Sequence, residues 1–199
     1  MPRPRAQLDH AAVTRAFAPD GLHGTTSETV ARCAGVAKPT LYAHGGSKEA
    51  IFLACVEAEV ERLLSDLSDA DMDSRALSAR ARIVALAEAI IEHGRARPDA
   101  ARLLQVTARH TGSTVAGDVD AALARVQSRL ASILRRDTTA RCAERVATAL
   151  LAAAAALALD RGDDRIDRDA AMLGDAFAAA LEPINDPAEA ERVRSVGLY

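Results

Sequence analysis

Apolar residues recur at intervals of three and four along most of the chain, the spacing of buried faces on α-helices. Leu8, Ala12, Val13, Ala16 and Phe17 share one such face, and Pro19, Asp20 and Gly21 then stop it. In TTSETVARCAGV, residues 25–36, Thr25 and Glu28 have the form of a capping box, Val30, Ala31 and Ala34 line a face, and Gly35 ends the helix. Pro39 fits the first turn of the next helix, which carries Leu41 and Tyr42 and stops at Gly45 and Gly46. Two short helices around a glycine turn predict a helix-turn-helix. Ser47 can cap a long helix whose apolar positions run from Ile51 to Leu67, and SDLSDADMDS, residues 65–74, reads as a linker.

Further amphipathic stretches follow around Ile83–Ile91, Pro98–His110, Val119–Leu134, Thr138–Asp160 and Asp167–Leu181. No apolar alternation of period two appears, so the expectation is an all-α protein of about nine helices. The tail from Pro183 to Tyr199 is expected to be a short helix or disordered. The run ALLAAAAALAL, Ala149–Leu159, is shorter than the roughly 18 apolar residues of a membrane span, and the basic N-terminus MPRPRAQLDH lacks a following apolar stretch. A cytoplasmic protein with no membrane partner is expected.

Composition sharpens this only in places. The net charge of -3 argues against a generally basic nucleic-acid binder. Within residues 1–49, however, six Lys and Arg face four Asp and Glu, and His10, His23 and His44 lie there too, so this end is the one suited to meet an anion. The chain has only two lysines, Lys38 and Lys48, and both flank the second helix of the helix-turn-helix. Cys33, Cys55 and Cys142 are widely spaced, with no zinc-site pattern, and read as reduced thiols used as small buried residues. Phosphate-loop, nucleophile-elbow and metalloprotease motifs are absent, and DRGDDRIDRD, residues 160–169, has no glycine at the position a calcium loop requires and no final glutamate. No catalytic residue, cofactor or metal site is expected.

From about Ala16 to Glu57, on the stretch GLHGTTSETVARCAGVAKPTLYAHGGSKEAIF, residues 21–52, the chain resembles the N-terminal domain of the TetR family of bacterial transcriptional regulators. The resemblance rests on the glycine, the Thr25-Thr26 pair, the Val30-Ala31 step, Ala34-Gly35-Val36, the T-L-Y-x-H pattern from Thr40 to His44, and Ser47-Lys48-Glu49. It departs at Asp9 and His10, where the family is usually apolar, at Pro19, at Ala37, where Ser or Thr often caps, and at Gly45-Gly46, where the family usually carries Phe-Pro. Loss of that aromatic predicts a loosely packed head that Gly45→Phe would stabilise.

Such a helix-turn-helix lays its second helix in the major groove of DNA. Ala37, Lys38 and Pro39 would then face the bases, Lys38 donating to guanine and its neighbours touching a thymine methyl. Thr26 adds a hydroxyl at a helix N-terminus, and His44 could reach phosphate or base when protonated. The resemblance implies phosphate contacts for Thr40, Tyr42 and Lys48.

It also implies a domain division at 1–52 and 53–199, with a helical ligand-binding and dimerisation domain following the three-helix head. The partners implied are a double-stranded, palindromic DNA operator, a second copy of the chain and a small-molecule effector. Leu150, Ala154, Leu157, Leu173, Phe177 and Leu181 are the expected dimer contacts, forming a four-helix interface. Many Leu, Ile and Ala and few aromatics suggest a small, largely apolar effector, oriented by His93, Gln105, Arg109 and His110. The function implied is a ligand-released repressor; the alternative is a helical small-molecule-binding protein that keeps the fold without DNA binding.

Overall fold

The computed structural model describes residues 9–107, 115–160 and 166–181. Among them are ten helices and no strand: α1 His10–Phe17, α2 Gly21–Gly24, α3 Ser27–Cys33, α4 Lys38–Gly45, α5 Lys48–Asp73, α6 Ala79–Ala96, α7 Pro98–Thr107, α8 Ala116–Leu134, α9 Ala140–Leu159 and α10 Ile166–Leu181. Arg109, His110 and the tail beyond Leu181 lie outside the described residues.

The first four helices and the start of α5 make the head. Asp9 is polar because it is the N-cap of α1, its carboxylate accepting from Ala11 N–H at 3.0 Å and Ala12 N–H at 3.3 Å. Pro19-Asp20-Gly21, expected only as a stop, leads instead into the one-turn α2, which accounts for the tenth helix. Phe17 and Phe52 meet edge to face at 5.2 Å between ring centroids, and Val13, Leu22, Val30, Leu41, Ile51 and Val56 pack around them.

α5 does not yield to a linker at residues 65–74. It runs for 26 residues, about 39 Å, from the head deep into the body. Leu67 and Asp71, one turn apart, are both 0% exposed, so the same face stays buried through the polar segment. Asp71 is tolerated there because Arg136 Nη1 donates to its Oδ1 at 2.6 Å, while Arg136 Nη2 and Arg129 Nη2 donate to Oδ2 at 3.1 and 3.2 Å. Burial alone would raise this carboxyl; the Arg136 hydrogen bonds and the surrounding guanidinium charges outweigh it and hold the acid below its ordinary value.

In the body α6 is central, packed by α5, α7, α9 and α10, while α8 closes against α5 and α9. Gly94 and Ala158 face each other across the α6–α9 contact, where a methyl on residue 94 would come within 2.5 Å of Ala158 Cβ. By length and composition α9 could cross a bilayer. Its packing between α6, α8 and α10 gives the same apolar composition a second reason. The head leans on the body through α1 and α2 against α7, where Arg15 Nε reaches Asp99 Oδ2 at 3.4 Å. One hydrophobic core is continuous from Val13 to Leu181.

The cysteines divide. Cys55 is buried in the α5 face, and that burial pushes its thiol up to about 11; Cys33 is exposed, and Cys142 is half-buried with Sγ donating to Ala180 O at 3.1 Å. Only Cys55 is therefore the small core residue expected of all three.

Candidate nucleic-acid interface

The two helices of the motif are built from local signals. Thr26, one residue later than expected, is the N-cap of α3, its hydroxyl oxygen accepting from Thr29 N–H at 3.2 Å. Thr25 turns inward and donates to the Ala16 carbonyl at 3.3 Å, which removes it from the capping box and leaves Glu28 free to point elsewhere. After α3, Gly35 N–H donates to Arg32 O and Val36 N–H to Ala31 O, a turn closed by backbone alone. α4 begins at Ala37, which offers no capping side chain; Pro39 in the first turn instead presets the helical φ.

Leu41, 0% exposed, anchors α4 to the head core and so decides which residues face out. Thr26, Ala37, Lys38, Pro39 and His44 are exposed, and Thr40 and Tyr42 are half-buried. Two side-chain contacts bring the N-termini of α3 and α4 together. Tyr42 Oη lies 2.5 Å from Ser27 Oγ, and Lys38 Nζ pairs with Glu28. Hydrogen bonding to Lys38 holds the Glu28 carboxyl below its ordinary value, and Glu28 in turn raises Lys38. His44 Nδ1 donates to the Thr40 carbonyl at 2.8 Å, which fixes the ring over α4.

Lys48 is differently employed from the phosphate contact expected of it. Its Nζ donates to the carbonyls of Leu22 at 2.8 Å and Thr25 at 3.0 Å, tying the first turn of α5 to the junction of α2 and α3. Those two bonds leave one of its three protons for another acceptor.

The double glycine also has a definite role. Gly46, at φ 75°, takes the left-handed conformation that closes α4 and donates its N–H to Tyr42 O. A methyl on Gly45 would come within 2.1 Å of Ile51 Cγ1, so the space expected to be missing an aromatic is already filled by Ile51. The expectation of a loosely packed head is corrected by that contact.

Residues 10–55 match the family described as bacterial regulatory proteins, tetR family. A TetR-like transcriptional regulator from Rhodococcus sp. RHA1 is similar over 90% of this chain and 96% of its own, at 26% identity and a TM-score of 0.69. Residues 10–55 are a TetR-family N-terminal domain. FadR of Bacillus halodurans (15% identity, 85% of this chain and 97% of its own, TM-score 0.70) shares the fold. So does FadR of Bacillus subtilis, solved in complex with stearoyl-CoA (16% identity, 86% and 95%, TM-score 0.67). Among curated proteins no match is found. The N-terminal unit is thus a DNA-binding helix-turn-helix of that family, and the chain carries the all-α fold of TetR-like transcription regulators.

The residues expected at the other sites are placed less favourably. Leu150, Ala154, Leu173 and Leu181 are at most 5% exposed within a single chain, so their side chains are spent on the intrachain core of α6, α9 and α10 and cannot form a partner-facing surface. Leu157 and Phe177 are half-buried and keep some surface, beside exposed Ala149, Ala152, Ala156, Met172 and Ala176. Gln105 Nε2 donates to Ala155 O at 3.1 Å as a tie between α7 and α9. His93, only 3% exposed at its side chain, sits in an ionic cluster with Asp66 and Arg97. The cleft that His93 lines, between α5 and α6, does not include Gln105. Sequence reasoning missed Ser27 and Glu28; the signal was their spacing one helix and a turn ahead of Tyr42 and Lys38.

Proposed function

We propose that the chain is a ligand-responsive repressor that binds a palindromic operator as a dimer in the cytoplasm. The observation that carries this reading is the outward row of Thr26, Ala37, Lys38 and Pro39 at the joined N-termini of α3 and α4, the end of a recognition helix that meets base edges. Lys38 donates to guanine and the methyl and ring carbons of Ala37 and Pro39 pack on thymine; Thr40, Tyr42 and the remaining proton of Lys48 take phosphates, and His44 lies further along the same helix. One head makes few contacts, so two related by a two-fold axis are needed. The half-exposed Leu157 and Phe177 with the alanine face of α9 support that pairing.

The DNA-binding unit ends near residue 52, inside α5. That helix is the continuous element running from head to body, which supports it as the carrier of a ligand signal. A ligand must favour the released arrangement by about 5.5 kcal/mol for a near-complete switch. The small, largely apolar effector suggested by composition is of the same kind as the acyl chain carried by the Bacillus subtilis relative.

Gel shift with the DNA upstream of the chain's own coding region tests the reading: a shift whose affinity falls steeply with salt is expected. Failure to shift any genomic fragment would favour the second reading, a small-molecule-binding protein without DNA affinity. That alternative draws on one observation, that both lysine ammonium groups are already engaged within the chain.

A further inference from the structure

Lys38 and Glu28 pair in the open, with 47% of the lysine side chain and 68% of the glutamate exposed. An ion pair so placed adds little to stability, because water and salt screen it and two long side chains lose freedom in forming it. Its position is what sets it apart. It spans the N-termini of α3 and α4 on the outward face that Thr26, Ala37 and Pro39 share.

The elements around the pair are held from both sides. Ser27 and Glu28 are successive residues in the first turn of α3, while Lys38 and Tyr42 are four apart on α4 and so lie one above the other on one face. Buried Leu41 anchors α4 to the core, and Tyr42 Oη, 2.5 Å from Ser27 Oγ, ties it to the start of α3. What freedom remains to Lys38 is that of its own four-carbon stem. Glu28 takes up that freedom. Its carboxylate stands at a helix N-terminus, where the dipole favours negative charge, and after Lys38 its own backbone and Thr26 contribute hydrogen bonds that keep it ionised.

An ammonium has three protons, and Glu28 engages one, which leaves two to give. In the major groove guanine presents two neighbouring acceptors, N7 and O6; adenine sets a donor beside its acceptor, thymine a methyl beside its one acceptor, and cytosine a donor. An ammonium held in one place with two protons to spend is satisfied fully by guanine alone. A lysine without the tether would also swing to the nearest phosphate, which is the same in every sequence. The carboxylate opposes that too, since it repels phosphates whatever the bases are. Discrimination by disfavouring the wrong complexes is the result.

We propose that Glu28 is a specificity-determining residue of the DNA interface, a positioning residue that holds the Lys38 ammonium over one guanine in each half-site and lowers affinity for all other sequences. This rests on the reading of the chain as a DNA-binding regulator. Selection of the full chain against a randomised duplex library, followed by anisotropy competition with single-base variants of the selected duplex, tests it. One guanine per half-site is expected whose preference Lys38→Met abolishes. In Glu28→Ala the preference at that base should fall about fivefold or more, with mismatched duplexes gaining more affinity than the selected one and other positions unchanged. In the Lys38→Met background, Glu28→Ala should leave base preference as it is, because the glutamate acts through the lysine. A guanine preference undiminished in Glu28→Ala would overturn the proposal. So would a loss spread evenly over every position, the mark of a purely structural role, or a Glu28 effect that persists without Lys38. Selective binding that shows no Lys38-dependent guanine would overturn this proposal alone, whereas an unsubstituted chain that retains no duplex at all would overturn the regulator reading and this proposal with it.

Discussion

Glu28 and Lys38, ten residues apart in sequence, form an ion pair across the N-termini of the two helices of the DNA-binding motif. The lysine expected to read a base is therefore shared with a carboxylate on the same exposed face. Glu28 either exchanges its partner for the DNA or opposes the phosphates.

Glu28→Gln removes that competitor while preserving shape. Operator affinity is expected to rise, and the dependence of log K on log salt to steepen by up to about one, because Lys38 then displaces a counterion of its own. Fluorescence anisotropy over a salt series measures both, and a weaker complex would mean that Glu28 itself contacts the DNA, cytosine N4 being the donor such a carboxylate accepts from.

Lys48→Ala should act on the fold before it acts on DNA. Removing two charge-assisted bonds to the carbonyls of Leu22 and Thr25 is expected to cost about 1–3 kcal/mol and lower the melting temperature of the free protein. Calorimetry of the variant without DNA checks this. An unchanged melting temperature together with a salt slope lowered by about one would return Lys48 to a purely phosphate-binding role.

Gly45→Phe is expected to destabilise the chain, by about 1–3 kcal/mol, because Ile51 already occupies the direction of the new side chain. Denaturant unfolding of the variant measures it. A stabilised variant would show that Ile51 gives way and that the head holds unused space.

Acid should loosen the α5–α6 junction. Burial lowers His93 below its ordinary value of 6.5 and, helped by the Arg97 charge, outweighs the upward pull of the Asp66 hydrogen bond and of the Asp66 and Glu59 charges. The unfolded chain therefore takes up the proton first as pH falls. This contribution to stability is complete above about 6.5 and is lost on going below it. Unfolding free energies at pH 7.5 and 5.5 should converge in His93→Gln relative to the unsubstituted chain; an equal pH dependence in both would assign the effect to other groups.

The all-α fold and the motif were legible because their causes are local. Helix periodicity, Gly35 at the turn, Pro39 in a first turn and Ser47 as a cap act within a few residues, and each is visible in one window of sequence. The linker expected at residues 65–74 failed because what sustains α5 there is distant: Arg129 and Arg136, about sixty residues on, pay for burying Asp71. Capping at Thr26 rather than Thr25 turned on one hydroxyl finding the Ala16 carbonyl. Likewise, apolarity marked Leu150, Leu173 and Leu181 as contacts without saying with what, and only the packing of α9 and α10 on α6 assigned them to their own chain. The aspartates of α5 lie in the segment read as a linker, and nothing short of the tertiary contact sets them across one cleft from Glu88 and Glu92 of α6. Sequence alone determined that the chain is all-α and where the helix-turn-helix lies; tertiary structure decided what each charged side chain does, because a charge takes its role from partners that the chain brings together only by folding.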